Sequence, residues 1–257
     1  MRPNLDDGMM QLSMMHILRN YSSWKFSLAT VIAAATLAGS GIAAGQQQTN
    51  TRDLTPGKTW IERLERSDRI PGLRIDDVVA SLELKPGDVV ADIGAGTGAF
   101  SIPFARAVAP SGMVLAQDIW PELLEYIAGK AEREHVGNLR TVLGKGDDPN
   151  LPSNQVDLAF FHDVFHNVID RRAYLEILAS SLKPDGRIAI IEQEYDDPIA
   201  KKWDRPENRI TREQVAEWMS EIGFELVATF DIFEGENNPA GTGMPERWFV
   251  VYGRKKT

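Results

Sequence analysis

One segment limits the possible folds more than any other. Val89-Val90-Ala91-Asp92-Ile93 is a short apolar run, and Gly94-Ala95-Gly96-Thr97-Gly98 follows it directly. A run of this kind suits a strand buried in a parallel sheet. Glycines at alternate positions mark backbone that turns sharply or lets a ligand approach closely. Residues 99–108 read as a helix, so the order is strand, glycine loop, helix. That order opens a βαβ unit, and open α/β sheets bind ligands at the carboxyl ends of such strands.

The same alternation continues along the chain. Helices are expected over 76–84, 121–135, 171–182 and 211–222. Pro121 suits a first helical position, and Thr211-Arg-Glu-Gln214 has the spacing of a capping box. Strands are expected over 88–93, 112–118, 139–143, 156–161, 187–192, 224–233 and 247–252. Lys183-Pro184-Asp185-Gly186 reads as the turn that closes the helix over 171–182. Five β-α units and a last pair of strands imply a doubly wound α/β sheet.

The glycines alone do not choose a ligand. Gly94-Ala-Gly96-Thr-Gly98-Ala99 fits the dinucleotide pattern G-x-G-x-x-G/A, with Asp118 about 20 residues beyond, as NAD binding requires. Asp92 separates the alternatives. It stands two residues before the first glycine, where a carboxylate would repel a pyrophosphate but attract a cationic ligand. S-adenosylmethionine (SAM) has no phosphate and carries an ammonium and a sulfonium. Asp118, at the end of the second strand, can accept from both ribose hydroxyls of either ligand, and Ile119 would flank the adenine. Asp147, in Gly146-Asp147-Asp148-Pro149 after the third strand, can accept from the adenine amine.

These residues together resemble the class I SAM-dependent methyltransferases. Leu84-Lys-Pro-Gly-Asp-Val-Val-Ala-Asp-Ile-Gly-Ala-Gly-Thr-Gly98 looks like their first motif. Asp118 is similar to the acid of the second, and Gly146-Asp147 with Leu151-Pro152 to the third. The likeness runs over about residues 75–255 and is nearest to the small-molecule branch that includes ubiquinone and menaquinone C-methyltransferases. It implies a mostly parallel, seven-stranded, Rossmann-like sheet of order 3-2-1-4-5-7-6 with the last strand antiparallel. It also implies that Asp92, Gly94, Gly96 and Gly98 hold the methionine end, Asp118 the ribose, and Asp147 and Asp148 the adenine. Asp148 departs from the family, which often has a small residue there.

Phe161-His162-Asp163-Val164-Phe165-His166-Asn167 follows the fourth strand and holds two of the chain's four histidines. In a fold of this kind it lies under the sulfonium. A histidine titrates near neutrality and suits proton abstraction from an acceptor. His162 is nearest the strand end and is the favoured base, facing the cofactor. His166 matches a family histidine and would orient the loop, and Asp163 would polarise either ring. The alternative is that both rings simply pack beneath the cofactor. Their i, i+4 spacing could also serve a metal, but no third ligand accompanies it. Glu192 and Tyr195 are placed to face a substrate, and Trp60, Arg69 and Arg74 fall where relatives carry a lid.

The chain has no cysteine, which excludes thiol nucleophiles, thiolate metal sites and disulfides. Its formal net charge of -9 is unsuited to a nucleic-acid backbone, so a small-molecule methyl acceptor is expected. Residues 26–45 are uncharged, follow Arg19 and Lys25, and end in small residues. Residues 1–45 therefore read as a signal peptide for export, cut near Ala43 or Ala44, or as a membrane anchor. Residues 46–58 read as a linker and 59–257 as the methyltransferase domain. Two alternatives stay open: an NAD-dependent oxidoreductase, and a SAM-binding protein without catalysis.

Overall fold

The computed structural model describes residues 56–194, 209–234 and 246–256. The leader 1–45 and Tyr195 lie outside them. Seven strands form one sheet in the order β3-β2-β1-β4-β5-β7-β6. They are β1 (Val89–Ile93), β2 (Met113–Asp118), β3 (Leu139–Leu143), β4 (Val156–His162), β5 (Leu182–Gln193), β6 (Phe224–Phe230) and β7 (Arg247–Arg254). The β1–β2, β1–β4, β2–β3 and β4–β5 pairs are parallel. Strand β7 is antiparallel to β5 and β6, as expected.

The sheet is buried on both faces, and its strands alternate between two cores. On one face Ala91, Phe161 and Ile190 pack with Tyr174, Leu178 and Met219. On the other, Val90, Phe160 and Ile191 pack with Leu73, Val78 and Phe104. Adjacent strand residues point to opposite faces, so a two-sided core needs an unbroken apolar run. The helices of these layers are α2 (Ile75–Ser81), α3 (Ser101–Ala107), α4 (Pro121–Arg133), α5 (Arg171–Ser181) and α6 (Arg212–Glu221). The capping box at Thr211 and Gln214 is present.

Three boundaries differ from expectation for clear reasons. A first helix, α1 (Pro56–Leu64), starts inside the segment read as linker. Proline at its start matches a position whose N–H would lack a helical partner anyway. Lys183-Pro-Asp-Gly186 is not a closing turn but part of β5. Leu182 already pairs with Val156, and the register shifts before Leu158 meets Arg187. Lys183 Nζ anchors this irregular stretch 2.7 Å from Asp157 Oδ2, which also accepts from the Val89 N–H at 2.7 Å. Strand β6 stops at Phe230, three residues early, and Phe233 turns inward to lie 4.1 Å beneath the Arg247 guanidinium. Among the described residues no helix is long and apolar enough to cross a membrane.

Candidate active site

A cavity of about 1050 Å³ opens where β1, β2 and β4 end. Its floor is the glycine loop. Gly94, Gly96 and Gly98 have φ of +65°, +59° and +74°, a region that side-chain-bearing residues avoid. At Gly94 the need is also steric, because a Cβ there would stand 2.4 Å from Val164 Cγ2. The loop is tied to the end of β2. Gly96 N–H donates to Asp118 Oδ2 at 3.0 Å, and Gly94 N–H to Gln117 Oε1 at 3.2 Å. Ala95 N–H donates to the Gln117 carbonyl at 2.9 Å. Gln117 went unnoticed in the sequence, since only its contacts across the sheet give it this role.

Asp92 and Asp118 both line the cavity and are nearly buried. Burial pushes the Asp92 carboxyl up to about 7; the Ser101 hydroxyl, donating at 2.5 Å, opposes the rise, and neighbouring Asp118 adds to it. Burial likewise raises Asp118, against the backbone N–H groups of Gly96 and Trp120 that donate to it. Desolvation favours the neutral acid, so a cationic ligand would restore the charge of Asp92 on arrival. Ile119, 48% exposed, forms part of the same wall.

The third strand end is arranged differently from expectation. Lys145 and Gly146 line the cavity, whereas Asp147 and Asp148 do not. Asp147 is exposed. Asp148 closes its own turn: its carbonyl accepts from Lys145 N–H at 2.7 Å and its Oδ1 from Asn150 N–H at 2.7 Å. A short polar residue followed by proline favours this local bonding over reaching a ligand.

The two histidines have different surroundings from those expected. His162 lines the cavity but its Nε2 lies 3.0 Å from Arg247 Nη1. Arginine only donates, so Nε2 accepts and the proton sits on Nδ1. Burial lowers the ring to about 3, Asp163 opposes this, and the Arg247 and Arg69 guanidiniums reinforce it. His162 packs 4.9 Å from the Phe100 ring. The Arg247 contact occupies its lone pair and burial disfavours its charged form, both of which oppose the role of base expected for it.

His166 is the better placed ring. Its Nδ1 lies 2.9 Å and 3.1 Å from the two oxygens of Glu192, and its backbone N–H donates to Glu192 Oε1 at 3.1 Å. Its Nε2 is 3.1 Å from Asn167 Nδ2. Arg171 Nη2 holds the turn through the His166 carbonyl at 2.8 Å. Burial lowers the basicity of His166, but the Glu192 carboxylate, with a smaller contribution from Asp163, outweighs it and the net shift is upward. Glu192 is fully buried on β5, so its charge acts through a medium that screens little. A carboxylate that fixes Nδ1–H leaves Nε2 as the basic atom, the arrangement general-base catalysis needs.

Asp163 stands between the two rings, with a left-handed φ of +51°. Its Oδ2 is 3.6 Å from His162 Nδ1, too long for a hydrogen bond, and 3.7 Å from Arg247 Nη1. Arg247, from the start of β7, is wholly buried and donates through Nη2 to the Gly72 carbonyl. No local pattern marked Arg247, because its partners come from segments far along the chain. Trp60 and Arg69 do line the cavity; Arg74 does not, and instead contacts Asp77 and the Ile232 carbonyl. No group of three or more potential metal ligands occurs among the described residues.

A family model described as a methyltransferase domain matches residues 91–190. The ubiquinone/menaquinone biosynthesis C-methyltransferase UbiE of Vibrio vulnificus is 30% identical over 123 residues, 47% of each chain. Nocamycin O-methyltransferase of Saccharothrix syringae is 32% identical over 106 residues, 41% of this chain and 38% of that one. The chain thus spans about half or less of the length of the curated relatives it matches. Among solved structures, a SAM-dependent methyltransferase from Aquifex aeolicus aligns with a TM-score of 0.64 at 24% identity, over 78% of this chain and 98% of that one. The magnesium protoporphyrin IX methyltransferase of Synechocystis, solved with S-adenosylhomocysteine (SAH), aligns at 0.60 and 18% identity, over 78% and 95%. Residues 91–190 thus match a methyltransferase domain, and the fold of the chain is the one these solved methyltransferases have.

Proposed function

We propose that this protein transfers the methyl group of SAM to a small-molecule acceptor, with His166 and Glu192 removing the acceptor's proton. One observation carries the reading. A single cavity joins the glycine loop, Asp92 and Asp118 at one end to the carboxylate-backed His166 at the other. The residues present fit the cofactor. Three glycines keep side chains out of the loop, Asp118 still has lone pairs for a ribose, and the buried Asp92 gains from a cation.

SAM supplies an electrophilic methyl carbon on a good leaving group. The chain's part is alignment and proton removal. The loop and Asp118 hold the nucleoside end, while Phe100, Phe161 and Val164 give the wall beyond it an apolar surface that excludes water. His166 Nε2 takes the acceptor's proton, and Glu192 stabilises the imidazolium that results. SAM held there would supply the methyl carbon for the deprotonated acceptor oxygen or nitrogen, with SAH as the leaving group. The dyad favours an acceptor with an ionisable O–H or N–H.

Titration calorimetry with SAH and with NAD, followed by SAH release from SAM in the presence of phenols, amines and hydroxy acids, tests the reading. SAH binding and acceptor-dependent SAH release are expected. Tight NAD binding without SAH binding would overturn it in favour of an oxidoreductase. SAH binding with no transfer to any acceptor would favour a non-catalytic binding protein. The uncharged run 26–45 supports export, by a cleaved signal or an anchor near the membrane. Cell fractionation of the full chain tests that.

A further inference from the structure

We propose that Arg69, backed by Arg247, forms a carboxylate-binding subsite at the reacting end of the cavity, so that the methyl acceptor is an organic acid. The inference takes the acceptor role of the bound acid from the methyl-transfer reading above, but the subsite itself stands on geometry.

Arg69 follows α1 and precedes the short 3-10 turn Ile70–Leu73. It is half-buried and lines the cavity. Among the described residues its guanidinium makes one hydrogen bond, from Nη1 to the Leu64 carbonyl at 3.3 Å. No carboxylate among the described residues lies within ion-pair distance of it. The two acids whose charge reaches it are Asp163 and Glu65, and Arg63 opposes them. Both acids are engaged elsewhere: Asp163 Oδ2 is 3.7 Å from Arg247, and Glu65 Oε1 is 3.3 Å from Lys130 Nζ.

Arg247 is fully buried, and among the described residues Asp163 is the one carboxylate whose charge acts on both guanidiniums. His162, between Phe100 and Arg247, is neutral near pH 7 and leaves that balance unchanged. His166, when protonated, is balanced by the Glu192 carboxylate against it and leaves the balance at the two guanidiniums unchanged. A buried excess of positive charge is unfavourable until an anion neutralises it. A guanidinium with unused donors matches a carboxylate in a two-point contact.

The anion of the cofactor itself is the competing occupant. The charges acting on Arg69 and Arg247 come from Asp163, Glu65, Arg63 and each other, whereas Asp92 responds to Asp118 and Ser101. The guanidiniums therefore belong electrostatically to the corner of Asp163 and the histidines, apart from Asp92 and Asp118. Trp60, Leu64 and Phe161 add apolar wall for the body of the acid.

The test uses the full chain loaded with SAH and titrated calorimetrically with benzoate and with benzamide, which differ in charge but little in shape. Benzoate is expected to bind at least tenfold more tightly. Arg69→Gln is expected to erase that difference while leaving SAH affinity within about twofold, and Arg69→Lys to restore part of it. Equal affinity for the two probes, or no benzoate binding at millimolar concentration, overturns the subsite. A tenfold loss of SAH affinity in Arg69→Gln overturns it too, since the guanidinium then holds the cofactor's own carboxylate. If Arg69→Gln does not fold, the wild-type benzoate preference and the Arg69→Lys protein decide. The two readings fail separately. Arg69-dependent benzoate binding without transfer to any hydroxybenzoate sinks methyl transfer alone, and transfer to methyl esters as fast as to their parent acids sinks the subsite alone.

Discussion

Asp92 couples ligand binding, stability and pH with opposite signs, and the sizes follow from its burial. Its carboxyl stands at about 7 in the folded protein, against 3.8 when solvated. The folded protein therefore holds a proton that the unfolded chain releases between those values. Stability from this group is fully present below pH 4, falls as pH rises through the window, and levels off above pH 7. The whole loss is at most roughly 4 kcal/mol, at about 1.4 kcal/mol per pH unit. Ligand binding runs the other way. If the ammonium of SAH needs the ionised carboxylate, the competent fraction rises from about one eleventh at pH 6 to about ten elevenths at pH 8, and apparent Kd falls about tenfold, or about 1.4 kcal/mol. Titration calorimetry at pH 6, 7 and 8 should show that slope, with proton release near pH 7. Asp92→Asn should bind SAH more weakly and without the slope. It should also melt at a higher temperature than wild type at pH 8 and at about the same temperature at pH 4. Asp118 adds to the rise at Asp92, so Asp118→Asn should keep a slope but move it to lower pH. A wild-type affinity that is flat from pH 6 to 8, or a slope that persists in Asp92→Asn, would refute the reasoning.

Three further outcomes follow. Glu192→Gln should lower kcat about 100-fold, within the usual range for a general base, and leave SAH affinity unchanged. Because the carboxylate holds His166 above its ordinary value, wild-type rate should rise with pH through a point above 6.5, and Glu192→Gln should move that limb down; an unmoved limb assigns the titration elsewhere. Arg247→Met should destabilise the fold by about 3–5 kcal/mol in chemical denaturation, since it strands Asp163 and the Gly72 carbonyl in the interior; a change below about 1 kcal/mol would mean the cluster is solvated. Gly94→Ala should abolish SAH binding in calorimetry, because φ of +65° and the 2.4 Å approach to Val164 both oppose a methyl group; retained affinity would show that the loop can relax.

Much of this molecule is legible from local pattern. The run 89–93 and the glycines after it specify strand and loop because buried parallel strands demand apolar residues on both faces and positive φ demands glycine. Asp118 is legible for a related reason: a polar residue ending an apolar strand sits at the sheet's carboxyl edge, where the cavity lies. Lys183–Gly186 misled, since its turn-like residues are absorbed as an irregularity in β5, a matter of its pairing with β4. Asp147 and Asp148 misled as well, because a turn can satisfy such residues internally.

Spacing along the chain cannot say which partners the two rings find. His162 and His166 are four residues apart in one loop, yet Arg247 takes Nε2 of the first and Glu192 supports Nδ1 of the second. Those partners arrive from β7 and β5. Basicity and tautomer are properties of the nearest charge and of the water excluded around it, so packing of distant strands decides them. The sequence by itself determined the sheet, the glycine loop and the acid beyond β2. Only the tertiary structure gave one ring an arginine and the other a carboxylate, and left Arg69 facing the cavity with no carboxylate among the described residues within ion-pair distance.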